Sequence, residues 1–128
     1  MNSYHDQISR AQARIDKKVE DVTRQTALII YGEIVRNTPV DTGRARGNWN
    51  IDINMVDRST DNPDNKNGDT SRADPVVARY KLDDRIFISN HLPYIARLND
   101  GHSGQSPAGF VDTAIQVGKR KGKEIAKR

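Results

Sequence analysis

The stretch Asn37-Thr38-Pro39-Val40-Asp41-Thr42-Gly43-Arg44-Ala45-Arg46-Gly47-Asn48-Trp49-Asn50-Ile51-Asp52-Ile53-Asn54-Met55 changes its apolar period midway. Upstream of it, apolar residues return at helical intervals. Downstream they alternate. Asn37-Thr38-Pro39 stops a helix, because the residue before a proline avoids helical geometry. Asp41-Thr42-Gly43 then reads as a tight turn, since Asp can bond its own downstream backbone and Gly admits a positive φ. Beyond the turn, Trp49, Ile51, Ile53 and Met55 alternate with Asn48, Asn50, Asp52 and Asn54. That is the pattern of a half-buried strand, and its polar second face favours an antiparallel sheet.

Working back from the turn, residues 3–36 carry a helical stripe. Ile8, Ile15, Val22 and Ile29 recur every seven residues. Val19, Thr26 and Glu33 lie four further on, and Leu28, Ile30, Ile34 and Val35 widen the apolar face near the end. The last three turns are expected to bury best, and the first two to float or to meet another subunit. About 30 residues make a rod of roughly 45 Å.

Working forward, residues 57–74 contain no hydrophobic residue except Ala73. They predict a long surface loop, mobile unless a partner orders it. Asp74-Pro75 starts either a short helix over Val76-Val77-Ala78-Arg79-Tyr80, with Asp as N-cap and Pro first, or a strand running into Tyr80. Arg85-Ile86-Phe87-Ile88-Ser89 is a second strand, whose three consecutive apolar residues suggest that both faces are covered. Tyr94-Ile95-Ala96-Arg97-Leu98 fits one helical turn. Residues 102–109 read as loop, with Ser106-Pro107 as a helix start. Phe110, Ala114, Val117 and Ile125 mark the inner face of a last helix whose end Gly118 and Gly122 weaken. The order helix, strand, loop, strand, turn, helix predicts an α+β fold: a long N-terminal helix and a C-terminal helix packed on a small antiparallel β-sheet.

A chain of 128 residues is expected to form one domain spanning 1–128. With 34% hydrophobic and 5% aromatic residues, its core is thin. Part of the chain is then expected to stay unpacked or to be completed by neighbouring subunits. Cysteine is absent, which removes disulfides and thiolate zinc sites and implies no oxidising compartment. The polar start of the chain does not fit a signal peptide, and no apolar run approaches the ~20 residues that span a bilayer. A soluble intracellular product without membrane contact is expected. The net charge is +4, unevenly spread. Residues 118–128, read as a basic C-terminal tail, hold six basic residues against Glu124 alone. Lys119, Arg120, Lys121 and Lys123 are candidates for contact with DNA or an acidic partner, beside the plainer reading of a solvated helix end.

Catalytic motifs are weak. Asp41-Thr42-Gly43 is the tripeptide of aspartic proteases, but Arg44 beside the carboxylate would hold it ionised, where the protease needs a shared proton. Gly104-Gln105-Ser106-Pro107-Ala108 lacks the spacing of a nucleophile elbow, and His91, Asp100 and Ser106 form a trio that any chain of this size offers. His5, His91 and His102 lack metal-ligand spacing. No catalytic, cofactor or metal residue is assigned, and no small-molecule substrate is expected. Arg44 and Arg46 near Trp49 suggest intersubunit ion pairs or plain solvation ahead of a nucleic-acid patch.

Three motifs, in order, resemble a family of bacteriophage tail-completion (head–tail joining, neck) proteins. The first is Pro39-Val40-Asp41-Thr42-Gly43-Arg44-Ala45-Arg46, with Ala45 where that family carries leucine. The second is Asn90, Tyr94 and Gly101, with Ile95 and Asn99 at its alanine and glutamate. The third is Phe110 and Ala114, with Pro107 two residues early. The resemblance spans roughly residues 8–117, with 57–74 as an insertion-like loop. It implies a non-enzymatic virion component that forms a ring of its own copies, commonly six, with twelve as the alternative. Its partners would be neck, connector and tail-tube proteins, with DNA passing through the lumen, and assembly would take place in the host cytoplasm. On this reading Asp41, Thr42 and Gly43 fix the turn, and Trp49, Ile51, Ile53, Ile86, Ile88 and Phe110 anchor the core. Arg44, Arg46 and Tyr94 are interface candidates. The rival readings are a small basic nucleic-acid-binding protein and a hydrolase using Asp41 or Ser106.

Overall fold

The computed structural model describes residues 3–101 and 108–128. A single long helix, α1 (Ser3–Asn37), carries the stripe expected of it, and its buried residues begin only at Ala27 and continue through Tyr31, Ile34 and Val35. The helix stops where Pro39 requires. Thr38 closes the last turn, its N–H and Oγ1 both donating to Ile34 O at 3.0 and 2.6 Å. A short turn of helix, α2 (Arg44–Gly47), follows, and strand β1 (Asn50–Ile53) leaves it.

Strand β1 pairs antiparallel with β2 (Ile86–Ser89) in the register Asn50↔Ser89, Ile51↔Ile88, Asp52↔Phe87 and Ile53↔Ile86. Ile51, Ile53, Ile86 and Ile88 therefore share one face. Ile51, Ile86 and Ile88 of that face meet the cluster formed by Tyr31, Ile34, Val35, Trp49, Val77 and Phe110, while Ile53, expected to anchor the core, is only half-buried and lies outside it. The fold is α+β, as expected, with a long N-terminal helix, a C-terminal helix and a two-stranded antiparallel sheet.

The first strand is shorter than the alternation predicts. Asn54 adopts φ 62°, a left-handed conformation that asparagine tolerates better than most residues. It is fixed there by Asp84, which accepts from Asn54 Nδ2 at 2.9 Å, and by Arg85 N–H, which donates to Asn54 Oδ1 at 2.9 Å. Met55 is thereby turned out and is 61% exposed. The second strand is half-buried along its whole length, whereas full cover of both faces was expected.

The segment around Asp74-Pro75 is helical: α3 (Ala73–Ala78) begins two residues earlier than the Asp N-cap reading, with Ala73 and Val77 buried. Arg24 of α1 ties down its exit, donating to Tyr80 O at 2.6 Å while Glu20 and Asp21 hold the same guanidinium. A turn of helix, α4 (Ile95–Asn99), precedes the last helix, α5 (Phe110–Ala126). Ser106-Pro107 lies outside the described residues, and Gly109 occupies the N-cap position of α5.

Helix α5 packs antiparallel along α1, as successive contacts establish. Gly118 meets Ile30, Gly122 meets Thr26, and Lys18 Nζ reaches Ile125 O. Gly118 and Gly122 were expected to weaken the helix end. Both are buried, and their missing side chains let the two helices approach: a Cβ on Gly118 would collide with the Ile30 side chain. The basic segment 118–128 is thus mostly the second half of a packed helix, which runs to Ala126.

Candidate functional site

The turn at residues 38–47 is held from three sides. Gly43 sits at φ 91°, and Arg44 N–H donates to Thr42 Oγ1 at 3.1 Å. Asn65 N–H donates to Gly43 O at 2.8 Å, so the long polar segment lies directly against the turn. A Cβ on Gly43 would stand 2.6 Å from Lys66 N, and one on Gly47 would collide with the Pro63 carbonyl oxygen. Both glycines are required by this close approach, and Gly43 by its φ as well.

Arg46 joins the turn to the helix end. Its Nε donates to Thr38 O at 2.9 Å, one terminal nitrogen to Arg36 O at 3.0 Å and the other to Lys66 O at 2.8 Å. The last carbonyls of a helix have no partner within it, and this guanidinium supplies one while binding the loop. Trp49 and Thr38 continue the joint inside: Trp49 Nε1 donates to Thr38 Oγ1 at 2.8 Å, and Tyr31 Oη donates to Trp49 O at 2.9 Å. Burial pushes the Tyr31 hydroxyl pKa up, which keeps it the donor that this bond needs.

The polar face of β1 is where sequence and structure diverge most. Asn48 and Asn50 were read as solvent-facing, yet both are fully buried. Asn48 Nδ2 donates to Arg44 O, and Asn48 Oδ1 accepts from Asn62 N–H. Asn50 Nδ2 donates to Asp57 O and Ser59 O, and Asn50 Oδ1 accepts from Asn62 Nδ2 at 2.7 Å. These amides pin the segment expected to be mobile. Arg72 closes its far end with a 2.9 Å bond to Gly47 O. Within the segment, Asp57 accepts from Ser59 N–H and Oγ, and Asp69 from Ser71 N–H. Those bonds hold both carboxyls below the usual carboxylate range. A depression of about 280 Å³ between turn and segment is lined by Gly47, Pro63, Asn65, Asp69 and Arg72, among others. Asn65, Asp69 and Arg72 there already bond the loop or turn.

The second motif meets the first here. Asn90 Nδ2 donates to Ala45 O at 3.0 Å, and its Oδ1 accepts from Leu92 N–H. The Arg44 guanidinium lies 5.9 Å from the centre of the Tyr94 ring, within cation–π range. Of the three interface candidates, Arg44 and Tyr94 are brought together at the surface, while Arg46 is turned inward onto three carbonyls. Asp41 and Thr42 are exposed on the same turn. The amide cluster in which Asn62 joins Asn48 and Asn50 escaped the sequence reading. Its one signal was an unusual density of asparagine in and around a strand.

The basic candidates lie elsewhere. Lys119, Arg120 and Lys123, joined by Lys127 and with Glu124 and Gln116 among them, line a shallow groove of about 320 Å³ on the exposed side of α5. Lys121 is exposed too but is not among its lining residues. Because α5 runs antiparallel to α1, this basic face starts level with Ile30, where Gly118 packs, and ends near Lys18, whose Nζ reaches Ile125 O. Of the catalytic trio, Ser106 lies outside the described residues. Among the described residues, no group of three or more His, Cys, Asp and Glu side chains is placed to hold a metal ion. No described helix is long and apolar enough to cross a membrane.

Two long helices with a two-stranded antiparallel sheet, and with Arg44 and Tyr94 paired at the surface, define a class: a small α+β scaffold. The model of the family described as "Bacteriophage HK97-gp10, putative tail-component" matches residues 3–99, and the chain belongs to that family. Its role is that of a structural component of a phage tail, which points to the virion, to contacts with other virion proteins and away from enzymatic work. No curated protein and no solved structure matches the chain. The family match spans 57–74, which the resemblance treated as an insertion, and it ends before Phe110 and Ala114.

Proposed function

We propose that this chain is a ring-forming tail-completion or neck subunit, which joins the tail to the filled head around the DNA channel. Six copies are the expected ring, with twelve as the alternative, assembled in the host cytoplasm and seated between connector and tail tube. One observation carries this reading. The first half of α1 carries an apolar stripe left exposed among the described residues, Ile8 being 69% and Ile15 56% exposed. A subunit that leaves such a stripe bare is completed by neighbours. The Arg44–Tyr94 pair at the opposite end of the rod supplies a second contact point. Sedimentation of the purified chain, alone and with purified tail tubes or connectors, tests the reading. Rings or ring-bearing tubes are expected, and a persistent monomer that ignores both partners would overturn it.

The basic groove on α5 favours a second role beside the first, contact with DNA. Four cations sharing the groove with Glu124 predict an affinity for duplex DNA that falls with salt at a log–log slope of about −3. A slope near zero in a filter-binding or fluorescence titration would leave these side chains to protein contacts.

A further inference from the structure

Lys18 Nζ reaches Ile125 O at 3.4 Å, where the last turn of α5 passes over α1. Residues 3–17 continue beyond that point as roughly 22 Å of helix. None of the buried residues of α1 lies in this part, so its stripe is open to cover. Tyr4, Ile8, Ile15 and Val19 share a face and are 74%, 69%, 56% and 43% exposed. From aromatic residue areas of about 150–250 Å² and smaller aliphatic ones, they offer on the order of 400–500 Å² of surface.

A receptor for such a ridge exists on the same chain. Between α1 and β2 lies an open, largely apolar trough of about 340 Å³, lined by Val22, Ala27, Ile30, Ile86 and Ile88, with Asp84 among its walls. The charges complement each other. Arg14 and Lys18 flank Ile15 on the ridge. The Asp84 carboxylate accepts from Asn54 Nδ2 and Lys81 N–H, bonds that favour its ionised form.

We propose that the bare first half of α1 docks, through Ile8 and Ile15, into the trough between α1 and β2 of a second copy of this chain. The inference rests on the self-assembly reading above and names the surface by which it happens. A standard interface takes about 800 Å² from each partner. The four ridge side chains supply about half of that, and the stems of Arg14 and Lys18 with the polar rim supply the remainder. A lipid surface fits less well. Residues 3–21 carry Asp6, Asp16, Glu20 and Asp21 against Arg10, Arg14, Lys17 and Lys18, a balanced face where a membrane-lying helix is strongly basic.

The native chain has no cysteine, which makes the test clean. Ile15→Cys is co-expressed with Thr23→Cys, and separately with Ile86→Cys, and each purified mixture is oxidised. A shift from 14.4 kDa to twice that on a non-reducing gel is expected in at least one mixture. Each single variant alone is expected to stay at the chain mass. Sedimentation of the unmodified chain is run beside it. Assembly without a mixed cross-link overturns the inference and leaves the ring reading standing. Ile15→Cys cross-linking as well alone as in the mixtures means that ridges pair with ridges, and overturns it too. A chain that neither assembles nor cross-links removes both. A mixed cross-link together with sedimentation of the unmodified chain at no more than two copies upholds the docking and overturns the ring. Ile8→Asp, expected to abolish assembly with an unchanged thermal melt, checks the ridge without a disulfide.

Discussion

Gly47 and Arg46 are neighbours in sequence and hold the same joint by opposite means. Gly47 works by what it lacks, since the Pro63 carbonyl occupies the space of a side chain. Gly47→Ala must therefore push the 57–72 segment off the turn. We expect a loss of about 1–3 kcal/mol, the usual range for overpacking, measured by urea unfolding. Arg46 works by reach, its fork spanning Arg36 O, Thr38 O and Lys66 O. Because the group is partly exposed, Arg46→Ala is expected to remove about 2–3 kcal/mol rather than the sum of three charge-assisted bonds. Arg46→Lys should recover little of it, since an ammonium cannot reproduce the planar fork. Equal melting temperatures for the three proteins would show that the joint does not depend on the guanidinium.

At the scale of elements, α1 has two unlike halves. Every buried residue of the helix lies at or after Ala27, where α5, α3 and the sheet cover it. Deleting residues 1–17 keeps the bonds of Lys18, Arg24 and Tyr31 and is expected to leave the melting temperature within a few degrees of the full chain. The same deletion should abolish self-assembly, read by sedimentation. A large fall in melting temperature would mean that the projecting half stabilises its own subunit. The α1–α5 pair responds in the opposite way. Gly118→Val drives a side chain into Ile30 and should destabilise the subunit itself by about 1–3 kcal/mol, seen as loss of cooperative unfolding at a lower denaturant concentration.

For the whole molecule, the polar segment acts as a third layer over the sheet, and charged aspartates hold it in place. The Ser59 bonds lower the Asp57 pKa, the Ser71 bonds that of Asp69, and the Asn54 and Lys81 bonds that of Asp84. A depressed folded-state pKa contributes stability that is fully present above the unfolded value. That stability is lost as pH falls through the folded one. The fold is therefore expected to be insensitive to pH from about 5 to 7 as far as these groups go, and to weaken below about pH 4, the ordinary aspartate range. Thermal melts between pH 2.5 and 7 measure this. Asp57→Asn should flatten the acid limb, and an unchanged limb would assign the acid sensitivity to other carboxylates.

Local pattern determined much of this protein. The seven-residue recurrence from Ile8 to Ile29 made α1 a helix, Pro39 ended it, and the alternation from Trp49 made β1 a strand. The Asp41–Gly43 turn and the Ile86–Ile88 strand were legible for the same reason: short-range backbone preference and periodicity suffice to specify them. Tertiary structure alone decided what covers what. Asn48 and Asn50 look solvent-facing because a polar residue on a strand usually is. They are buried because a hydrophilic segment folds back and satisfies each amide. Gly118 and Gly122 look like weak points of a helix and become its contact line with α1. Arg46 resembles its neighbour Arg44 in sequence and differs only by which way the turn aims it. Burial and hydrogen bonding depend on groups brought together from far along the chain, and no local window contains both partners.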